Sequence, residues 1–311
     1  MAIAVPRPKP QKRAVGWRGS PKRREAIAFY LFISPWIFGF LVFTVGPIIA
    51  SAYFSFTQYD IANAPKWVGL TNYQNLFSDP IFWKSITVTL HFAVLALPLG
   101  LVASIALALL LNLKLPGLSV WRTLYYFPSV ISGVAVALLW QLIFQPSFGV
   151  LNVFIYTTFH IIGPQWAFDE AWVIPMFVIM SLWSVGGSML IYLGGLQGIP
   201  TQLYEAAEID GANAWHRLWT VTLPMLTPVI LFNLILGIIS AFSYFTNAYV
   251  MTQGGPADST LFYVLNLFNN GFVYFNMGYA AALAWALFVF VLVLSLLVLR
   301  LSRERVYYAG R

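Results

Sequence analysis

Six stretches of almost unbroken apolar residues alternate with short polar segments along the chain, at about 26–56, 86–112, 124–145, 171–195, 224–251 and 277–299. At about 1.5 Å per helical residue, each is long enough to cross a hydrocarbon core of about 30 Å. The pattern predicts an all-α, polytopic membrane protein with six transmembrane helices. Connections at about 57–85, 146–170 and 252–276 are rich in Asn, Gly, Pro and aromatic residues. They predict interfacial turns or short helices, and none is long enough for a separate domain. Prolines at 35, 47, 98, 128, 175 and 228 lie in or at the ends of the apolar stretches and predict kinks. Neighbouring helices can satisfy the carbonyls that a proline frees.

One segment departs from the pattern: LYEAAEIDGANAWHRLWTVTLPML, residues 203–226, holds Glu205, Glu208, Asp210, His216 and Arg217 between two apolar stretches. Leu203, Ala206, Ala207 and Asp210 share one face at helical spacing, and Trp215, Leu218 and Trp219 form another beyond Gly211. This predicts two short helices joined at Gly211, with Pro200 at the start of the first and Pro224 at the return to the membrane. The small pair Ala206-Ala207 leaves room for another surface to approach closely, so the first helix has the form of a docking knob.

Composition supports the membrane reading. The chain of 311 residues is 60% hydrophobic and 9% charged, with a mean hydropathy of +0.77, whereas soluble domains carry about a quarter charged residues. The 17 Lys and Arg residues divide unevenly between the two sides. Only Lys66 and Lys84 fall in the 57–85 connection, while the other fifteen lie in residues 1–25, 113–123, 196–223 and 300–311. By the positive-inside rule this places both termini and the 196–223 loop in the cytoplasm, and Ser259 outside. The net charge of +7 is then a topology signal. The basic cluster at 22–24 does not imply a nucleic-acid partner. The expected organisation is a basic cytoplasmic tail at 1–25, a six-helix domain at 26–299 containing the 196–223 loop, and a second basic tail at 300–311. The first apolar run is about twice the length of a signal-peptide core, so Ala50-Ser51-Ala52 is expected to remain uncleaved.

Several chemistries find no support. Cysteine is absent, so no thiolate ligand or thiol nucleophile exists. His91, His160 and His216 lack metal-ligand spacing. Every Asp and Glu maps to a connection, which argues against an ion-coupled secondary transporter. No nucleophile, metal cluster or acid pair points to a membrane enzyme.

The polar segment carries a family resemblance: Glu205-Ala206-Ala207, three residues, Gly211, nine residues, then Val221-Thr222-Leu223-Pro224. It is similar to the signature loop of bacterial ABC-importer permeases, departing by Val221 where the family has Ile. VGLTNYQNLF (68–77), MTQGGP (251–256) and MGYAAALAW (277–285) resemble the carbohydrate-uptake class, of the maltose and glycerol-phosphate permease kind. The resemblance implies the type I importer permease fold in a bacterial or archaeal cytoplasmic membrane. It implies a second homologous permease, two ATPase subunits and an extracytoplasmic solute-binding protein as partners, with lipid around them. ATP and Mg would be bound by the ATPase subunits and no cofactor by this chain, which lacks a GxxxxGK[ST] phosphate loop. The short cytoplasmic helix would sit in a cleft of the ATPase, with Glu205, Ala206, Ala207 and Gly211 in coupling and Leu223 and Pro224 fixing the helix to the next span.

A sugar path needs uncharged polar groups and flat aromatic faces. The fourth span supplies Ser181, Trp183, Ser184 and Ser188, and the fifth Asn233, Ser240, Ser243, Tyr244 and Asn247. Residues 240, 243, 244 and 247 are expected to form one helical stripe, to which Trp140 and Gln141 of the third span could add. Serines are equally the packing contacts of membrane helices. The absence of Lys and Arg from the spans favours a neutral sugar.

Overall fold

The computed structural model describes residues 21–113, 115–303 and 306. Most of the expected basic tail, residues 1–20, lies outside the described residues, as do 304–305 and 307–311 of the C-terminal tail. Contacts divide the chain into two units meeting at Tyr53 and Phe54.

The described residues of the first unit form one long helix. α1 (Pro21–Phe40) runs through Pro35 into a π-helical turn at Leu41–Val45 and on into α2 (Gly46–Phe54). The tail residues 21–25 are already helical, and none of the helix's apolar window is buried. Pro47, two residues after the π turn, lacks the N–H that a regular α-helix would use there.

The second unit begins with a small antiparallel hairpin, β1 (Thr57–Gln58) against β2 (Lys66–Trp67), in the register Thr57 to Trp67. α3 (Thr71–Ser78) follows. α4 (Pro80–Leu111) starts six residues before the expected span, because its first turn is well made: Asp79 accepts the Ile81 N–H at 2.8 Å and Pro80 occupies the first helical position.

The third apolar stretch is not one straight span. α5 (Leu118–Tyr126) ends in a 3-10 turn at Phe127–Val130, and α6 (Gly133–Ile143) leaves at 99° to it. Pro128 cannot donate to the preceding turn, and Ile131 has an extended backbone with ψ of 141°. α7 (Val150–Phe159) lies in the next connection. The fourth stretch is also broken: α8 (Glu170–Trp183) and α9 (Gly186–Gln197) differ by 48° across Ser184 and Val185. No proline stands at that break, whereas the helices run unbroken through Pro98, Pro175 and Pro228.

α9 begins on a glycine for a steric reason. A Cβ on Gly186 would stand 2.0 Å from the Tyr125 carbonyl oxygen and 2.8 Å from the Tyr126 Cα, so the two broken spans touch backbone to backbone. Gly186→Ala is expected to cost at least about 1–3 kcal/mol, as overpacking of a tight contact does. The check is the melting temperature of the detergent-solubilised protein, which should fall by several degrees; an unchanged value would contradict this close approach.

α10 (Thr201–Ile209) is the expected first short helix. The second is not a separate element: α11 (Ala214–Arg217) passes through a π turn at Leu218–Thr222 into α12 (Leu223–Phe242). Pro224 again lies two residues beyond a π turn. Ser243–Phe245 interrupts the helix before α13 (Thr246–Met251). α14 (Tyr263–Phe268), a π turn at Asn269–Val273 and α15 (Met277–Ser302) complete the chain. Among the described residues four helical runs are long and apolar enough to cross a membrane alone, and counting each bent pair as one span brings the number to six.

Within the connection at 252–276 the segment 259–263 is packed inside, with Thr260 and Phe262 0% exposed and Tyr263 2%, while 257–258 and 272–276 are exposed. Its backbone needs partners there. The Tyr263 N–H donates to Thr89 Oγ1 of α4 at 2.9 Å and the Tyr263 hydroxyl to the Leu283 carbonyl of α15 at 2.9 Å.

Candidate functional site

A cavity of about 340 Å³ lies among α4, α6, α8, α9, α12 and α13. Its polar lining is neutral: Ser104 of α4, Ser181, Ser184 and Ser188 around the α8–α9 break, Tyr192, Asn233, Ser240, Tyr244 and Asn247. Leu97, Gly100, Leu101, Leu234 and Gly237 supply apolar wall, and none of its lining residues is charged.

The helix breaks bring these groups together. A serine that bonds back to its own helix competes with the backbone ladder, and the Ser181 hydroxyl donates to the Val178 carbonyl at 2.7 Å. The break at Ser184 turns that side chain to the cavity. The break at Ser243–Phe245 leaves Tyr244 and Asn247 linked, with Asn247 Nδ2 donating to the Tyr244 hydroxyl at 2.9 Å. The Asn247 Oδ1 is buried without a partner.

The structure gathers Ser184, Ser240, Tyr244 and Asn247 at the cavity. It does not keep the stripe through 240, 243, 244 and 247, because the helix breaks; Ser243 is exposed and outside the lining. Trp140 and Trp183 also stand apart from the lining. They meet edge to face at 5.9 Å while Trp140 stacks on Phe144 at 5.0 Å, so they serve aromatic packing. Gln141 is exposed and outside this lining. Ser104 and Tyr192 were not expected. Gly100 and Ser104, one turn apart on α4, were the available sign, since small and polar residues at that spacing share a face.

The polar loop forms a second site. α10 closes in a Schellman arrangement: the Ala212 N–H donates to the Ala207 carbonyl at 2.8 Å and the Gly211 N–H to the Glu208 carbonyl at 3.0 Å, with Gly211 at φ of +81°. Asn213 then caps α11 by accepting the His216 N–H at 2.8 Å. The Glu208–Arg217 ion pair spans the turn, and Tyr204 and Thr222 share a hydroxyl hydrogen bond at 3.1 Å. Leu223 packs with Tyr204 against the core of Tyr192, Leu196 and Leu226, and Pro224 stands in the first turn of α12. Ala206, Ala207 and Gly211 line a surface hollow of about 560 Å³, and Glu205 is exposed beside it. Ile209 is 87% and Trp215 67% exposed, so the knob presents apolar groups outward.

Membrane-length helices around a neutral polar cavity, with a rigid helix knob on one of their connections, define a polytopic membrane transport component. The chain belongs to the family described as binding-protein-dependent transport system inner membrane component, whose model matches residues 97–306. It is 43% identical, over 93% of its length and 94% of the relative's, to a probable ABC transporter permease protein of Bacillus subtilis. It is 35% identical to the trehalose/maltose transport system permease protein of Thermococcus litoralis, over 91% of this chain and 96% of that one. Among solved structures it resembles a bacterial ABC transporter involved in the import of the acidic polysaccharide alginate, with a TM-score of 0.80 and 25% identity over 91% of this chain and 97% of that one. The alginate transporter in complex with its alginate pentasaccharide-bound periplasmic protein shares the fold at a TM-score of 0.79 and 24% identity, over 91% and 96% of the two chains.

Proposed function

We propose that this chain is one of two membrane subunits of an ATP-driven importer of a neutral sugar, and that α10 transmits movement from a cytoplasmic ATPase. The observation that carries the cargo is the lining of the cavity: hydroxyls, two carboxamides and tyrosine rings, with no charge among them. A phosphorylated or acidic cargo would want cations in its path. The trehalose/maltose relative supports the same class. A solute-binding protein would deliver the sugar from outside, and a second permease would complete the path. ATP and Mg would be held by two partner ATPase subunits.

Two measurements test this. Purification of the tagged chain from its native membrane should bring down an ATPase subunit, and reconstituted vesicles should take up a neutral disaccharide only with ATP and the binding protein. Uptake that a sugar phosphate competes for, and a neutral sugar does not, would reject the cargo. For orientation, Ser259 is an unsuitable outer probe because it is 8% exposed. Ala64, exposed beside the hairpin, takes its place. In this chain without cysteine, Ala64→Cys should react with an impermeant thiol reagent from outside and Thr201→Cys only from inside; the reverse would overturn the topology.

A further inference from the structure

We propose that Phe262, buried at the end of the loop 252–262, is the residue that closes the cavity at the end remote from α10. This rests on the cavity being the transport path. Phe262 is 0% exposed yet does not line the cavity; its ring lies behind two residues that do. It stands 4.9 Å from the Tyr244 ring and 5.4 Å from Phe92, and Phe177 closes the group at 5.7 Å. Phe92 and Tyr244 are themselves 4.6 Å apart. These four rings, contributed by α4, α8, the α12–α13 break and the loop, make one continuous aromatic wall.

The loop holds Phe262 in place from both ends. Next to Phe262 the link to α4 is the Tyr263 N–H donating to Thr89 Oγ1 at 2.9 Å. At its start the loop is tied to α13 through the Thr252 and Gln253 N–H groups, which both donate to the Ala248 carbonyl, and the Tyr263 hydroxyl reaches the Leu283 carbonyl of α15; within the loop Thr260 shares a hydroxyl bond with Thr252 at 2.7 Å and its Oγ1 donates to the Gly255 carbonyl at 2.6 Å. Gln253, Ala257 and Asp258 all hold positive φ, at 50°, 44° and 57°, a conformation that non-glycine residues adopt only where the surroundings enforce it. Tyr244 belongs to both the cavity and the ring wall, so a sugar that displaces this ring acts directly on Phe262.

The test uses the assembled transporter in sealed vesicles with Ser104→Cys, at a cavity-lining position that is 1% exposed, as the only cysteine, and an impermeant thiol reagent applied from the side of the loop. With Phe262 in place labelling should be slow; Phe262→Ala should speed it at least tenfold, and Phe262→Tyr should leave it slow. Thr89→Val, which keeps the volume and removes the acceptor for the Tyr263 N–H, should also exceed the parent rate, and it serves if Phe262→Ala fails to assemble. Rapid labelling of the parent, or a parent-like rate in Phe262→Ala and Thr89→Val, would overturn the proposal. Because the readout is chemical access, it holds whatever the cargo is, and an error in the sugar assignment would show only in uptake.

Discussion

Gly211→Val is expected to uncouple ATP hydrolysis from uptake while leaving the membrane helices inserted. A Cβ at Gly211 meets nothing within 4 Å, so the defect is conformational and not steric crowding. At φ of +81° a β-branched residue is strained by about 1–2 kcal/mol. Relief of that strain would undo the bonds from Gly211 to Glu208 and from Ala212 to Ala207 that fix the direction of α10. One or two kcal/mol corresponds to a factor of roughly 5–30 in the population of the seated helix. Gly211→Asn, a side chain that tolerates the left-handed region, should retain most coupling. Ala207→Trp should fail more severely, because it fills the hollow beside the knob. Glu205→Lys should act alike by reversing a charge: Glu205 has no ion-pair partner among the described residues, unlike Glu208. Substrate-stimulated ATP hydrolysis and uptake, measured together in vesicles, decide the matter. Wild-type values of both in Gly211→Val, Ala207→Trp and Glu205→Lys would remove this loop from the transmission path.

The double variant Asn247→Leu, Tyr244→Leu should lose uptake by more than tenfold, with complex assembly and docking of the binding protein preserved. Asn247 Oδ1 is a buried acceptor without a partner, and leaving such a group unpaired costs about 1–3 kcal/mol. A sugar hydroxyl placed there would recover that cost. Asn247→Leu alone removes one hydrogen bond of about 0.5–1.5 kcal/mol and should raise the KM for uptake roughly 2–13-fold. The second replacement also removes the aromatic face. Normal uptake by a well-expressed double variant would move the sugar site to the partner permease.

Apolar run length and charge placement alone determined that this is a helical membrane protein. Those signals are local, because hydrocarbon admits no other way to satisfy a single crossing segment. The knob was legible for the same reason: the left-handed Gly211 and the turn it closes involve residues within six positions of one another. The cavity was legible only in part. Helical periodicity assumes an unbroken helix, so the break leaves Ser243 outside the cavity lining, while Trp140 and Trp183 turn toward each other. Only the tertiary structure decided where spans break, since two of the three breaks contain no proline and one is shaped by the contact of Gly186 with the Tyr125 backbone. It alone also turned the 259–263 segment inward, because that placement depends on Thr89, a residue 174 positions away from Tyr263. A partner at that distance leaves no periodic trace in the segment that needs it.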